Sequence, residues 1–291
     1  MIEDRTVSGR IFSVLNYALL ATIALVSFLP FVHVIAGSFT TNAELAASKF
    51  VLIPKVWSIE AYRFIFSTST IFRAMAVSAA VTLLGTLFSM LITSMMAYGL
   101  SRRDLDGRKP ILFAVVFTML FNGGLIPTFL VVKELGLIDT YAALVLPIAI
   151  SAFNLIILKN FFQNIPDGLE ESARIDGCSD FGIFFRIVLP LSMPVLATIS
   201  LFYAVTYWNT YLNAILYLDS SDKWPIQVLL RQIVVLASGI EYGSNLDGAV
   251  PPPDQTVKMA VIVVATLPIL LVYPLLQKHF AKGALLGSIK G

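Results

Sequence analysis

The sequence predicts an all-α membrane protein with six transmembrane helices. Of its 291 residues, 57% are hydrophobic and only 13% are charged, and the mean hydropathy is +0.84. Soluble domains carry about 25% charged and about 45–50% apolar residues, and they have no way to hide so much apolar surface. Six segments are long and apolar enough to cross a bilayer, which takes about 20 residues. None of the six contains Asp, Glu, Lys or Arg.

The expected spans are residues 11–36, 74–100, 111–132, 140–158, 187–218 and 259–277. The apolar stretch after residues 1–10 is too long for a signal-peptide core and is followed by no small-residue cleavage site, so it is read as a retained first span. An even number of spans puts both ends on one side. Basic residues choose that side: Arg5 and Arg10 precede span one, and Arg102, Arg103, Arg108 and Lys109 crowd the loop after span two. Lys159, Arg174 and Arg186 lie between spans four and five, and Lys278, Lys282 and Lys290 are in the tail. The expected organisation is a cytoplasmic N-terminus (1–10), a six-span domain (11–277) and a cytoplasmic tail (278–291). Within the domain, 159–189 is a cytoplasmic loop, and 37–72 and 219–258 are long external segments.

Residues 225–240 place Ile226, Leu229, Leu230, Ile233 and Val234 at helical spacing. The stretch is too short to span and is interrupted by Arg231, so it reads as an amphipathic helix on the bundle or the outer membrane face. Pro251, Pro252 and Pro253 make a stiff connector after it. In span two, Gly85, Ser89, Thr93 and Ala97 recur every four residues, a row that permits close helix packing and needs no other explanation. The net charge of +2 is too small to indicate a nucleic-acid partner. The single cysteine, Cys178, forms no intramolecular disulfide, and no redox role is assigned to it.

The most informative segment lies between spans four and five, residues 164–190. Asp167 can cap a helix, with Glu170 closing a capping box. A short helix over about 168–176 would end at Gly177, which tolerates the left-handed conformation. Ser179 can cap a second helix running toward Pro190. Leu169, Ala173, Ile175, Phe181, Phe184 and Phe185 are too many apolar residues for an ordinary solvated connector. A compact helical projection fits a groove on another protein.

This loop resembles the cytoplasmic motif of permease subunits of binding-protein-dependent ABC importers: E-A-A, three residues, G, nine residues, I, one residue, L-P. The chain has Glu171-Ser172-Ala173, Gly177, Ile187 and Leu189-Pro190 at that spacing, departing only by Ser172 for Ala. Residues 121–130, 135–141 and Asn160-Phe161-Phe162 are similar to the carbohydrate-uptake branch, which includes the second permease of maltose-type and oligosaccharide-uptake systems. The closing residues 287–291 are similar to the tail of that permease.

The resemblance implies a type I ABC importer bundle with a cytoplasmic coupling helix, in the bacterial cytoplasmic (inner) membrane. Glu171, Ala173 and Gly177, flanked by Glu170 and Asp176, would form the joint with a cytoplasmic ATPase; Ser172, Ile187, Leu189 and Pro190 complete the motif. The implied partners are a homologous second permease, two ATPase subunits that bind ATP and Mg, and an external solute-binding protein delivering a carbohydrate, expected to be an oligosaccharide. By the same likeness Gly287, Lys290 and Gly291 are expected to reach the ATPases. Pro190 and Pro194 fit a bend at the entry to span five.

The chain itself has no phosphate-binding G-x-x-x-x-G-K-[ST] loop and no H-E-x-x-H site, and its spans hold no acidic proton relay. It is therefore read as a transport subunit, not an enzyme, needing no cofactor or metal of its own. Asn122, Asn154, Tyr207, Trp208, Asn209, Tyr211 and Asn213 mix amides and aromatics at membrane depth, which suits a sugar pathway. Interfacial belts and interhelical hydrogen bonds account for the same residues. A self-contained carrier for a neutral solute is the alternative, but it predicts internal repeats, and no convincing duplicated half is present. A membrane enzyme or an ABC permease for a non-sugar substrate are the other readings.

Overall fold

Lipid offers no water to backbone N–H and C=O groups, so a spanning chain must satisfy them within helices or a closed barrel. The computed structural model describes residues 7–48, 50–67, 69–237 and 254–287, and these form helices without a strand. In chain order they are α1 (Val7–Ser38), α2 (Asn42–Ala47), α3 (Glu60–Ser67), α4 (Ser69–Ser101), α5 (Arg108–Leu120), α6 (Leu125–Glu134), α7 (Ala142–Val145) and α8 (Ala152–Phe162). Next come α9 (Asp167–Ile175), α10 (Asp180–Ile183), α11 (Leu189–Leu191), α12 (Met193–Trp208), α13 (Leu212–Tyr217), α14 (Ile226–Ala237) and α15 (Gln255–Gly287). A π turn over Phe184–Val188 joins α10 to α11. The Pro251–Pro253 connector lies outside the described residues, as do Lys290 and Gly291; Gly287 is the last residue of α15.

The chain divides into two units, residues 1–69 with 230–266, and residues 70–229 with 267–291. In the first, α1 is exposed along almost its whole length, and Ser13 and Thr22 return their hydroxyls to the carbonyls of Gly9 and Ala18. The segment after α1 is more ordered than its composition predicts. Thr41 caps α2, and the Glu44 carboxylate accepts from Thr40 Oγ1 at 2.7 Å and from the backbone N–H groups of Lys55 at 2.9 Å and Val56 at 3.1 Å. Ser38 and Tyr62 pair their hydroxyls at 2.7 Å, and Phe39 stacks on Tyr62. Asn42 Oδ1 accepts from Thr256 at the start of α15.

In the second unit, three of the expected spans are not single helices. α5 and α6 are bent by 118° about residues 121–124. Gly124 has φ of +89°, a conformation that L side chains rarely adopt; Asn122 Oδ1 accepts its N–H at 2.9 Å. Pro127 then sits in the first turn of α6, where its missing N–H costs nothing. The fourth expected span breaks by 55°: the chain leaves the helix after Ile148, and Ser151 caps α8. The fifth bends by 85° between Asp180–Leu191 and Met193–Trp208, at Ser192 between Pro190 and Pro194. This bend follows the prolines, as expected. The fifth span was also expected to run to residue 218. It stops at Trp208, and a separate α13 follows a break at 209–211.

The row of small residues on α4 has a packing partner in α12. A Cβ on Gly85 would lie 3.0–3.1 Å from three ring carbons of Tyr207. One turn on, Ser89 Oγ pairs with Tyr207 Oη at 2.7 Å, and Thr93 Oγ1 pairs with Tyr203 Oη at 2.7 Å. Tyr203 Oη also accepts from the Ser151 N–H at 2.9 Å, and Tyr207 donates to the Val145 carbonyl at 3.3 Å. Two tyrosines thus join three spans and satisfy backbone groups freed by the break at Ser151.

Elsewhere Asp139, at φ +59°, forms a clasp. Its carboxylate accepts from Lys223 Nζ at 2.6 Å and from Ser220 N–H at 3.0 Å and Oγ at 2.7 Å. The expected amphipathic helix is α14, with Ile226 and Val228 buried and Arg231 exposed; its expected extension to residue 240 lies outside the described residues.

Two outcomes are expected. Gly85→Val should lower the unfolding free energy in detergent by about 1–3 kcal/mol, the usual cost of overpacking, whereas Gly99→Ala, with nothing within 4 Å of its added Cβ, should not; thermal denaturation of both variants checks this. The second concerns acid. Lys223 first, then Ser220, holds the Asp139 carboxyl well below the usual carboxylate range. A depressed pKa contributes stability that is fully present above about 3.9, the unfolded value, and is lost only as pH falls through the lower folded value. Melting curves of wild type and Asp139→Asn should therefore differ equally at pH 7 and pH 5 and converge only in stronger acid.

Candidate functional site

The segment 166–190 forms a helix, a tight turn and a second helix. Pro166, in an extended conformation, precedes α9. Asp167 was expected as the cap, but it is the first helical residue and makes no capping bond. With Glu170 it puts negative charge in the first turn, which suits the helix dipole. The capping box fails because Glu170 is engaged elsewhere: its carboxylate pairs with the Arg102 guanidinium.

The end of α9 follows expectation closely. Gly177 has φ of +82°, its N–H donates to Arg174 O at 3.0 Å, and the Cys178 N–H donates to Ala173 O at 2.9 Å. This is a Schellman closure, which satisfies the last helical carbonyls and favours glycine at that position. Ser179 then caps α10 by accepting from Gly182 N–H at 3.3 Å, and Arg174 reaches across the turn to Asp180 at 3.0 Å.

Arg102 is the residue whose importance the sequence did not reveal. It registered only as one charge in a basic loop. In the structure its guanidinium donates to Tyr98 Oη at 3.3 Å, lies over the Tyr98 ring at 5.7 Å, and pairs with Glu170. The two charged side chains are only 18% and 16% exposed, so this pair is screened far less than a surface pair. Gln163 Nε2 and Arg108 Nε donate to the carbonyls of Ser101 and Leu100 at 3.2 and 2.8 Å, closing the end of α4. Only residue contacts could single these out; their spacing in sequence carries no signal.

Of the expected coupling residues, Glu171, Ser172, Asp176 and Gly177 are exposed, with Ser172 Oγ returned to the Gly168 carbonyl at 2.8 Å. Glu170 is half-buried against Arg102. Ala173 is buried: its methyl seats α9 on the rest of the unit, so it serves the projection from below. Ile187 and Leu189 are partly buried in the core and Pro190 is exposed at the bend. Ile175 and Phe181, which were not among those residues, stand 87% and 64% exposed on the projection. Beside it is a cavity of about 520 Å³, lined by Tyr98, Arg102, Arg174, Asp180, Phe181 and Phe184 among others.

The expected pathway residues do not converge on one site. Tyr207 is 1% exposed and committed to Ser89 and Val145, which removes it from any open path in this conformation. Asn154 and Trp208 are also buried. Asn122 caps the break before α6. Asn209 ends α12, donating to Val205 O at 2.9 Å and accepting from Gln227 at 3.4 Å. Tyr211 and Asn213 are half-buried around α13. The run 206–213 fails as a single lining face because the helix breaks within it.

The Arg102–Glu170 pair is expected to hold α9 in place. Arg102→Met and Glu170→Gln should each increase protease cleavage or amide exchange across 166–180. Double-mutant thermal melts should give a coupling energy on the order of 1 kcal/mol.

The family described as binding-protein-dependent transport system inner membrane component matches residues 109–285. The polygalacturonan/rhamnogalacturonan transport system permease protein YtcP of Bacillus subtilis (strain 168) is 66% identical, over 97% of this chain and 99% of its own length. Protein LplC of the same organism is 54% identical over 98% and 97% of the two chains. A crystal structure of a bacterial ABC transporter involved in the import of the acidic polysaccharide alginate superposes with a TM-score of 0.86 at 33% identity, covering 94% of this chain and 98% of that one. A six-segment helical chain with this loop, matched over more than half its length, belongs to the family of binding-protein-dependent transport system inner membrane components.

Proposed function

We propose that this chain is one of two membrane subunits of an ATP-driven, binding-protein-dependent importer of an acidic oligosaccharide, and that α9 and α10 are its joint with a cytoplasmic ATPase. The observation that carries the joint is the projection itself. It is locked by a Schellman turn and the Arg102–Glu170 pair, and it leaves Ile175 and Phe181 exposed among the described residues. Exposed apolar side chains on a rigid knob, flanked by Glu171 and Asp176, suit a groove on a partner. The excess of basic residues in the same loops supports placing the knob and both termini in the cytoplasm.

Force applied to α9 has a continuous route inward: α10, the π turn, α11 and the Pro190–Pro194 bend lead into α12. In this reading the partner ATPases bind ATP and Mg, and closure of their dimer moves α9 as a unit. Rigid elements meeting at a bend convert small displacements into discrete rearrangements. A second, homologous permease supplies the other half of the pathway, and an external solute-binding protein delivers the substrate. The acidic character rests on two similar systems, a polygalacturonan/rhamnogalacturonan transport permease and a transporter that imports the acidic polysaccharide alginate.

The test is purification of the tagged chain from native membranes, with Ile175→Glu and the double variant Glu171→Lys, Gly177→Pro beside wild type. Burying one such isoleucine is worth roughly 1.5–3 kcal/mol, so Ile175→Glu should weaken ATPase retention about tenfold or more while leaving the melting temperature unchanged. The double variant should lose the ATPase altogether. A wild type that brings down no ATPase in several mild detergents would sink the importer reading. Uptake assays with oligogalacturonides against neutral oligosaccharides of equal length decide the substrate class separately.

A further inference from the structure

We propose that residues 50–59 form a membrane anchor, which inserts Leu52, Ile53, Val56, Trp57 and Ile59 at the headgroup–acyl boundary of the leaflet at the C-terminal end of α1. This site is distinct from the ATPase joint and the sugar pathway and does not depend on either. The five side chains are all exposed, Ile53 and Trp57 at 78% and 69%, while Val51 before them and Pro54 among them are buried. An apolar patch of this kind needs a cover, and three observations point to lipid.

The first is depth. His33 Nδ1 lies 3.0 Å from Val51 O and 3.1 Å from Val51 N, and its ring stacks on Phe50 at 4.5 Å. The segment is therefore held alongside α1 five residues before the helix ends, about 7.5 Å back along its axis at 1.5 Å per residue. A 32-residue helix is about 48 Å long, some 18 Å more than a hydrocarbon core of about 30 Å. With the excess shared between its ends, the edge of the hydrocarbon falls about 9 Å from each end, close to the level of His33.

The second is continuity. Leu29, Phe31 and Ile35 on this part of α1 are exposed, so the segment extends an apolar surface that already faces the bilayer.

The third is backbone satisfaction. Irregular chain is excluded from an apolar environment unless its polar groups are bonded. Here the Val51 N–H has His33, those of Lys55 and Val56 have the Glu44 carboxylate, and that of Ser58 has the Phe39 carbonyl at 2.8 Å. These four donors turn inward, and the exposed side chains of the segment are mainly apolar. Trp57 and the exposed Lys55 supply the amphipathic ring and cation that favour headgroup level.

Tryptophan fluorescence tests this on the full chain in its purified complex, reconstituted in phosphatidylcholine liposomes. Three tryptophans are present, so the Trp57 signal is the difference between wild type and Trp57→Phe. Phosphatidylcholine brominated high on the acyl chain should remove most of that difference emission, deeper bromination less, and the emission should be blue-shifted. Ile53→Asp, at a position 78% exposed, should shift Trp57 to the red and reduce the quenching. Quenching by aqueous iodide but not by brominated lipid would place Trp57 in water, and quenching by neither would place it beneath another protein; either result overturns the anchor.

Discussion

A membrane helix can break only where something other than water satisfies the groups it releases, and this fold breaks three of its six spans. The hydroxyls of Tyr203 and Tyr207 are what make the central break tolerable. Tyr203 holds Thr93 on α4 and the free N–H of Ser151 before α8; Tyr207 holds Ser89 on α4 and the carbonyl of Val145 in α7. Each tyrosine spends one polar atom on two partners, and the ring of Tyr207 fills the space left by Gly85. The small residues of α4 and the large ones of α12 are thus two halves of one device. Close approach supplies the van der Waals contact that drives helix association in lipid, and the hydroxyls supply the hydrogen bonds that an irregular span lacks.

The same economy appears at the projecting knob. The final carbonyls of α4 are bonded by Gln163 and Arg108, those of α9 by the turn through Gly177, and the first turn of α10 by Ser179. With its ends satisfied from within, the knob can leave its apolar side chains exposed and remain rigid. The Arg102–Glu170 pair adds an attachment to the end of α4. The knob is consequently coupled to two long elements, α4 through charge and α12 through the proline bend.

At the segment after α1, side chains again stand in for missing secondary structure. Glu44 gathers two backbone donors and a hydroxyl, and His33 Nδ1 accepts from the Val51 N–H. An otherwise extended chain is thereby closed on itself, with its apolar side chains outward, a disposition suited to lipid.

Much of this was legible in the residues alone. Composition placed the chain in a membrane, because no soluble packing can hide so much apolar surface. The six apolar segments, the Gly177 turn, the Ser179 cap and the bend at Pro190 and Pro194 were readable because each is a local consequence of backbone geometry. What the sequence could not determine depended on contacts between distant residues. Hydropathy does not distinguish a straight span from one broken at Gly124 or Ser151, since both halves are equally apolar. Tyr207 looked like a pathway residue because a tyrosine at membrane depth is chemically suited to a sugar; only its contact with Gly85 and Ser89, more than a hundred positions away, makes it part of the core. Glu170 had the spacing of a cap but found a stronger partner in Arg102, a full charge held in a half-buried setting. Local rules settle which conformations a segment can take, and tertiary structure decides which polar group each side chain meets, because in lipid every such group must meet one.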